Sequence, residues 1–188
     1  MRLSDTIKLE LLKYFRFERN YNLICTEGIH QADVNASNGS SLVEVEIKIS
    51  KADFKKEFQT AKESSRWKEY KHKNYSEPSK HMPTFIVPNR FYFCVPAELA
   101  DWAVEYLKDK NSKYGLLSYD TERYTGSTHI VTIKPARNLH NEKPEMRALL
   151  LIARRTTNEL ITAKEKFIEN KQELEALQEG VLVAEGIK

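Results

Sequence analysis

The chain has 188 residues, with 30 Lys and Arg against 27 Asp and Glu, and a formal net charge of +3. This length suits one domain with a small appendage. No window approaches the roughly 20 apolar residues of a membrane span. The first 15 residues form an amphipathic pattern and lack the apolar stretch of a signal peptide. Neither Cys25 nor Cys94 has a second cysteine or a histidine at the spacing of a zinc site. We therefore expect a cytoplasmic protein that does not associate with a membrane.

The first quarter of the chain predicts a helix followed by strands. A helix is expected over 5–18, capped by Ser4 or Asp5, because apolar residues recur on one face. Strands are expected over 21–29, 31–36 and 42–49. Asn38-Gly39 lies between the last two of these strands and is a strong hairpin signal.

The remaining elements alternate helices with short apolar strands. We expect a charged helix over 51–70 with Trp67 on its inner side, and a loop over 71–84 because that stretch is polar and contains prolines. Further elements are a strand at 91–95, a helix at 97–108, and strands at 114–119 and 129–133. This order predicts a mixed α/β fold, a central mixed sheet flanked by helices.

A long helix is predicted over 144–178, and its apolar positions alternate spacings of four and three as in a heptad seam. The seam residues are Leu149, Ala153, Thr156, Leu160, Ala163, Phe167, Asn170, Leu174 and Leu177. Such a seam either pairs two copies of the chain as a homodimer or packs on its own domain, and periodicity alone does not separate these. We therefore divide the chain into a domain over 1–140 and a helical extension over 141–188.

Charged residues alternate with valine and isoleucine in the strand over 42–49. A strand has a period of two, so Glu44, Glu46 and Lys48 share one face. Hairpin pairing can bring Asp33 opposite or diagonal to them, because cross-strand neighbours approach within about 5–8 Å. Two carboxylates and an ammonium group would then lie together. The alternative interpretation is an ordinary antiparallel strand with one solvated face.

Such a cluster suits Mg²⁺, which prefers oxygen ligands and is usually held by one or two carboxylates, water and substrate phosphate. We expect Asp33 and Glu46 to be the metal ligands and Lys48 to be the catalytic cation of a phosphodiester hydrolase. Glu44 is a possible auxiliary ligand. Glu10 is another, because it falls on the inward face of the first helix.

The order of these motifs resembles the PD-(D/E)XK nuclease superfamily, whose core is a helix, a mixed sheet with acids on its second and third strands, and a following helix. Ala32-Asp33 takes the place of the Pro-Asp half, and Glu46-Ile47-Lys48 takes that of the (D/E)XK half. Further segments are similar to the MmcB-like branch linked to DNA repair: Asp53-Phe54, Trp67-Lys68-Glu69-Tyr70, Asn89 to Pro96 and Tyr114 to Leu117. The resemblance spans about residues 5–135. It implies a restriction-endonuclease-like core, a DNA substrate and Mg²⁺, with Mn²⁺ as a substitute, and it matches Glu10 to a first-helix acid that some members use.

A basic stretch follows the motif strand, with ten Lys and Arg against five Asp and Glu between residues 48 and 80. The expected nucleic-acid contacts are Lys51, Lys55, Lys56, Lys62, Arg66, Lys68, Lys71 and Lys73. Aromatic residues among them could stack on unpaired bases or lie in the core: Trp67, Tyr70, His72 and Tyr75. Two other functions stay open, a catalytically silent DNA-binding module and a structural protein that assembles through its long helix.

Overall fold

The protein has a mixed α/β fold. A six-stranded mixed sheet is flanked by helices, and a long helix follows at the C-terminal end. The computed structural model describes residues 2–59, 66–77 and 85–184, with side chains in the last helix described through Gln178. None of the helices in these parts of the chain combines the length and the apolar character that a membrane span requires.

The elements follow in chain order as helices and strands. The helices are α1 (Leu3–Lys13, continued by a π-helical turn, Tyr14–Glu18), α2 (Lys51–Lys56), α3 (Arg66–Ser76), α4 (Ala100–Lys108) and α5 (Met146–Ala184). The strands are β1 (Leu23–Thr26), β2 (Val34–Ser37), β3 (Leu42–Ile47), β4 (Arg90–Pro96), β5 (Gly115–Tyr119) and β6 (Ile130–Lys134).

The sheet has its strands in sequential order, and the strand direction reverses at three of the five neighbouring pairs. The pairs β1–β2, β2–β3 and β5–β6 are antiparallel, whereas β3–β4 and β4–β5 are parallel. The predicted hairpin between β2 and β3 is confirmed. Gly39 takes a φ of +84°, and the Asn38 Oδ1 atom accepts hydrogen bonds from the Ser40 and Ser41 amides, so local turn chemistry closes the loop.

Both faces of the sheet are covered. On one face Val43, Val45 and Ile47 of β3 pack with Ile7 and Leu11 of α1. On the other face aromatic side chains of β4 pack with α2, α3 and α4, and the cluster includes Phe54, Tyr75, Phe91, Phe93 and Leu107. The charged face of β3 therefore lies beneath helices and not in water.

The long helix α5 lies on the domain only in its first part. Ala148 and Ile152 pack with Cys25 of β1, and the Thr156 hydroxyl donates to the Ile24 carbonyl at 2.7 Å. After Glu159 every side chain described in α5 is exposed. Of the two interpretations of the heptad seam, packing on the domain holds for the beginning of the helix and not for the rest.

Four local expectations are wrong. The single helix predicted over 51–70 is not continuous, because α2 ends at Lys56. Helix α1 begins at Leu3, with Arg2 in the capping position and no side-chain cap. Trp67 does not point into the core, because its side chain is 45% exposed. The loop predicted from residue 71 is the second half of α3, and residues 78–84 of that prediction lie outside the described residues.

Asn89 joins β3 to the segment after β6. Its Oδ1 atom accepts the Leu42 amide at 2.8 Å and its Nδ2 atom donates to the Glu142 carbonyl at 2.7 Å, while the residue is only 4% exposed. Replacing Asn89 by Ala leaves a buried amide without a partner, so we expect the free energy of unfolding to fall by roughly 2 kcal/mol. Urea denaturation measures this. Asn138→Ala, at an exposed asparagine, is the control and should change stability by less than about 0.5 kcal/mol.

Candidate functional site

Asp33 stands directly before β2 and reaches across to β3. Its Oδ2 atom accepts the Ile47 amide at 2.8 Å, and its Oδ1 atom lies 3.3 Å from the Lys8 ammonium of α1. Burial raises the pKa of Asp33, and the neighbouring Glu46 charge adds to this increase, while the Ile47 amide and Lys8 act in the opposite direction. The Glu46 charge thus lies close enough to Asp33 to raise its pKa.

Glu46 and Lys48 lie near the end of β3 on the face that the sequence predicted. The Glu46 Oε2 atom is 3.5 Å from the Lys48 Nζ atom, and the same ammonium is 2.7 Å from Glu57. Burial lowers the pKa of Lys48, but the charges of Glu46 and Glu57 outweigh burial and hold that pKa above its ordinary value. Lys48 therefore acts as a fixed positive charge and not as a base.

Glu57 lies at the centre of the site, although no sequence pattern predicted it there. Its carboxylate contacts the ammonium groups of Lys48 at 2.7 Å, Lys68 at 2.9 Å and Lys71 at 3.2 Å, and the His72 Nε2 atom at 3.2 Å. Burial opposes ionisation of Glu57. The His72 hydrogen bond and the charges of Lys71 and Lys48 outweigh burial, so they hold its pKa well below the ordinary value.

Lys71 connects three carboxylates although its side chain is only 3% exposed. Its Nζ atom lies 2.8 Å from Glu46, 3.2 Å from Glu57 and 3.5 Å from Glu44. Burial lowers the pKa of Lys71, but these three carboxylates raise it well above the ordinary value. We expected Lys71 on the nucleic-acid surface, and this is a correction: its ammonium is internal and links β3, α2 and α3.

Glu44 is buried on the same face of β3 as Glu46, two residues before it. Its Oε2 atom accepts the Tyr75 hydroxyl at 2.7 Å, and its other oxygen lies 3.5 Å from Lys71. Burial raises the pKa of Glu44 to about 7, since the charge of Lys71 compensates it only in part. Glu44 therefore contacts Tyr75 and Lys71 in the interior of the protein, where it is only 1% exposed.

Glu10 is not brought together with these residues. It lies on α1, on the opposite face of the sheet, where its Oε2 atom accepts the His129 amide at 2.9 Å and its Oε1 atom lies 2.7 Å from Lys13. Burial opposes ionisation, but these contacts hold the pKa of Glu10 below its ordinary value. The inward-facing Glu10 carboxylate thus provides a hydrogen-bond acceptor for the amide of His129, just before β6.

The positions of Glu57 and His72 in the site had only a weak signal in the sequence. Glu57 follows Phe54 by three positions and so falls on the inward side of the helix. His72 lies in a stretch that was predicted as a loop. Its burial lowers its pKa, so the neutral ring donates from Nε2 to Glu57 and accepts the Tyr114 hydroxyl at Nδ1, at 2.7 Å.

The donor set fits a magnesium site of two carboxylates and not of four. Among the residues that the structure describes, no group of three or more Asp, Glu, His or Cys side chains is arranged to hold a metal ion. Asp33 and Glu46 remain as neighbouring carboxylates. The Glu46 Oε2 atom lies 3.5 Å from the Lys48 ammonium, and its Oε1 atom lies 2.8 Å from the Lys71 ammonium. One or two carboxylates with water and phosphate is the usual protein environment of Mg²⁺.

Each carboxylate of this site is paired with an ammonium group, and Lys8 also lies 2.9 Å from Glu27. The carboxylates are Asp33, Glu44, Glu46 and Glu57, and the ammonium groups paired with them are Lys8, Lys48, Lys68 and Lys71. When all are ionised, their formal charges cancel. If a divalent cation bound at Asp33 and Glu46, an accompanying phosphate would offset part of its positive charge.

The remaining predicted nucleic-acid contacts lie mostly in solvent. The exposed cations are Lys51, Lys55, Lys56, Arg66 and Lys73. The Lys68 side chain is 35% exposed and paired with Glu57. Lys62 lies outside the described residues.

Comparison of the chain with family models, with curated proteins and with solved structures finds no match.

Glu44 generates a prediction about pH. Between pH 4.5, its ordinary pKa, and about 7 the folded state keeps a proton that the unfolded state releases. The Glu44 carboxyl therefore lowers the free energy of unfolding as pH rises through this window. The Glu44→Gln variant still accepts the Tyr75 hydroxyl but has no carboxyl to ionise. As pH rises through this window, we expect its free energy of unfolding to increase relative to that of the wild type by a few kcal/mol. Urea denaturation at several pH values measures this difference.

Glu57→Gln is the matched comparison, because its pKa is shifted in the opposite direction. The stability that ionised Glu57 contributes is present above pH 4.5 and is lost as pH falls below that value. This variant should therefore be less stable than the wild type at neutral pH, with the deficit shrinking in acid. Parallel pH profiles for Glu44→Gln and Glu57→Gln would contradict the assigned shifts.

Proposed function

We propose that this protein is a metal-dependent nuclease that hydrolyses phosphodiester bonds of DNA. The observation that carries the proposal is the neighbouring pair Asp33 and Glu46 at the end of the β2–β3 hairpin, with the Lys48 ammonium 3.5 Å from Glu46. The element order adds support, since a helix, an antiparallel hairpin, further helices and a parallel strand agree with the core that the PD-(D/E)XK resemblance implies.

Asp33 and Glu46 would hold Mg²⁺ or Mn²⁺. When bound, the ion supplies a water of lowered pKa and neutralises charge on the phosphate. The protein keeps both carboxylates in place: the Ile47 amide and Lys8 orient Asp33, and Lys71 orients Glu46 at 2.8 Å. These contacts exist before substrate arrives, so little reorganisation is needed during the reaction.

Lys48 supplies positive charge beside the reacting phosphate. Its pKa is raised by Glu46 and Glu57 despite burial, so the ammonium stays protonated and can stabilise the charge that develops on the phosphate oxygens. Exposed cations of α2 and α3, among them Lys55, Arg66 and Lys73, would hold the phosphate backbone and make binding weaker as salt increases.

Cleavage of circular and linear DNA, single- and double-stranded, with Mg²⁺ or Mn²⁺ tests this function. We expect Asp33→Asn and Lys48→Ala each to lower the cleavage rate by about 100-fold or more, because one removes a metal ligand and the other removes the fixed charge. Glu10→Gln is the control, since Glu10 lies on the opposite face of the sheet, and it should cleave at nearly the wild-type rate.

Full activity of the Lys48→Ala variant would contradict the assignment. DNA binding that does not depend on metal, without cleavage of any of these substrates, would favour a catalytically silent DNA-binding module on the same fold.

We also propose that two copies of the chain associate through the part of α5 that leaves the domain. Its seam residues are exposed there: Leu160 by 55%, Phe167 by 69%, Leu174 by 56% and Leu177 by 68%. A second copy offers the same spacing of apolar side chains, and the single Asn170 in the seam is typical of helices that pair in a defined register.

Light scattering after size-exclusion chromatography tests this association. We expect a dimer for the wild type and a monomer for Phe167→Glu, because a buried charge in the seam has no partner. Phe17→Glu changes a phenylalanine that is 66% exposed but lies beside α1, and it should remain dimeric. A monomeric wild type would contradict the proposal.

A further inference from the structure

A cluster of aromatic rings lies at the start of α3. The His30 ring stacks on Phe85 with centroids 4.3 Å apart and planes 15° apart. Trp67 contacts His30 at 5.4 Å and Phe85 at 5.8 Å, and Tyr70 meets Phe85 edge-on at 5.3 Å. Unlike the aromatic rings beneath α2 and α3, this cluster reaches the surface, since Trp67 is 45% exposed.

The segment that carries His30 is held in an unusual backbone conformation. Glu27, His30 and Gln31 have φ values of +48°, +58° and +57°, although none is a glycine. Such conformations cost free energy and persist only where the surroundings enforce them, often at functional sites. Here the His30 Nε2 atom donates to the Ile86 carbonyl at 2.7 Å, which fixes the ring against Phe85.

The aromatic cluster adjoins the carboxylate site through the chain on both sides. Asp33 follows His30 by three residues, and Lys71 follows Trp67 by four, which is one helical turn. The charge of Lys71 also acts on the His30 ring, which places the ring near the internal ion pairs. These links place the aromatic cluster beside the carboxylate site, so a strand bound at Asp33 and Glu46 could extend over the rings.

We propose that Trp67, with Tyr70, Phe85 and His30, forms a stacking surface for unpaired nucleobases, and that the substrate enters the site as a single strand. This inference rests on the proposed nuclease function and names its substrate class. Every base offers a flat face to an aromatic ring once it is unpaired, whereas both faces of a base within a duplex are already stacked. Exposed Arg66 and Lys73 on α3 supply cations for the phosphates between the stacked bases.

Two other aromatic residues of α3 make contacts inside the protein, so they are not part of the stacking surface. Tyr75 is fully buried and donates to Glu44 at 2.7 Å. His72 is held between Glu57 and Tyr114. Of the aromatic residues that the sequence offered for stacking, Trp67 and Tyr70 are the ones that remain, and the structure adds His30 and Phe85.

The test measures binding in the Asp33→Asn variant without divalent metal, so that cleavage does not enter the readout. A Trp102→Phe background leaves Trp67 as the sole tryptophan. We expect a 12-nucleotide oligothymidine to quench Trp67 fluorescence and to bind more tightly than a duplex of equal length. Trp67→Ala, followed by anisotropy of the labelled oligonucleotide, should weaken single-strand binding by about tenfold.

Two further variants make the result specific. Trp67→Phe keeps a flat ring and should retain most of the affinity. Tyr124→Ala removes an aromatic side chain that is 63% exposed outside the cluster, and it should bind like the parent protein. Urea denaturation of each variant verifies that the fold is intact.

The outcomes separate this inference from the nuclease function. Single-strand binding that is unchanged in Trp67→Ala, or duplex binding as tight as single-strand binding, overturns the stacking surface even if wild-type protein cleaves DNA with Mg²⁺. Binding that depends on Trp67, in a protein that cleaves none of the substrates, supports the stacking surface and overturns the nuclease function.

Discussion

The Lys71 ammonium, buried among three carboxylates, is the interaction on which the candidate site depends. Glu44, Glu46 and Glu57 lie 3.5, 2.8 and 3.2 Å from it. Burial of this much negative charge without a cation would be prohibitive, and removing one partner of a buried ion pair typically costs about 3–5 kcal/mol. Because these carboxylates come from β3 and from the residue that follows α2, while Lys71 comes from α3, one side chain joins three elements.

The ion pairs of the site also fix the orientation of the carboxylates that the proposed reaction would use. Ion pairs hold the carboxylates that face each other across the β2–β3 hairpin in defined orientations, which is the preorganisation that charge stabilisation in an active site requires. If a metal ion binds at Asp33 and Glu46 as proposed, it joins carboxylates that are already paired with ammonium groups, so an anionic phosphate bound with it would offset its added positive charge.

Local patterns predicted the framework of the site but not its interior. The alternation in β3, the Asn38-Gly39 turn and the apolar face of α1 are properties of neighbouring residues, so β2, β3 and their pairing could be predicted from the sequence. The second half of α3 was missed because Lys71 and its neighbours are polar, and a polar residue is buried only when distant partners compensate it. Lys71 and Glu46 are separated by 25 residues, and no periodicity reports on a contact of that kind.

Helix α5 links the projecting part of the molecule to the candidate site. Arg155 lies 3.7 Å from Glu27, Glu27 lies 2.9 Å from Lys8, and Lys8 lies 3.3 Å from Asp33. Each of these partly exposed pairs contributes little to stability. Their effect is geometric, because they hold α5 against the strained segment from which Asp33 and His30 project. The first part of α5 also covers the edge strand β1, since Glu159 accepts the Thr26 amide at 3.0 Å, and so removes an unpaired edge beside the site.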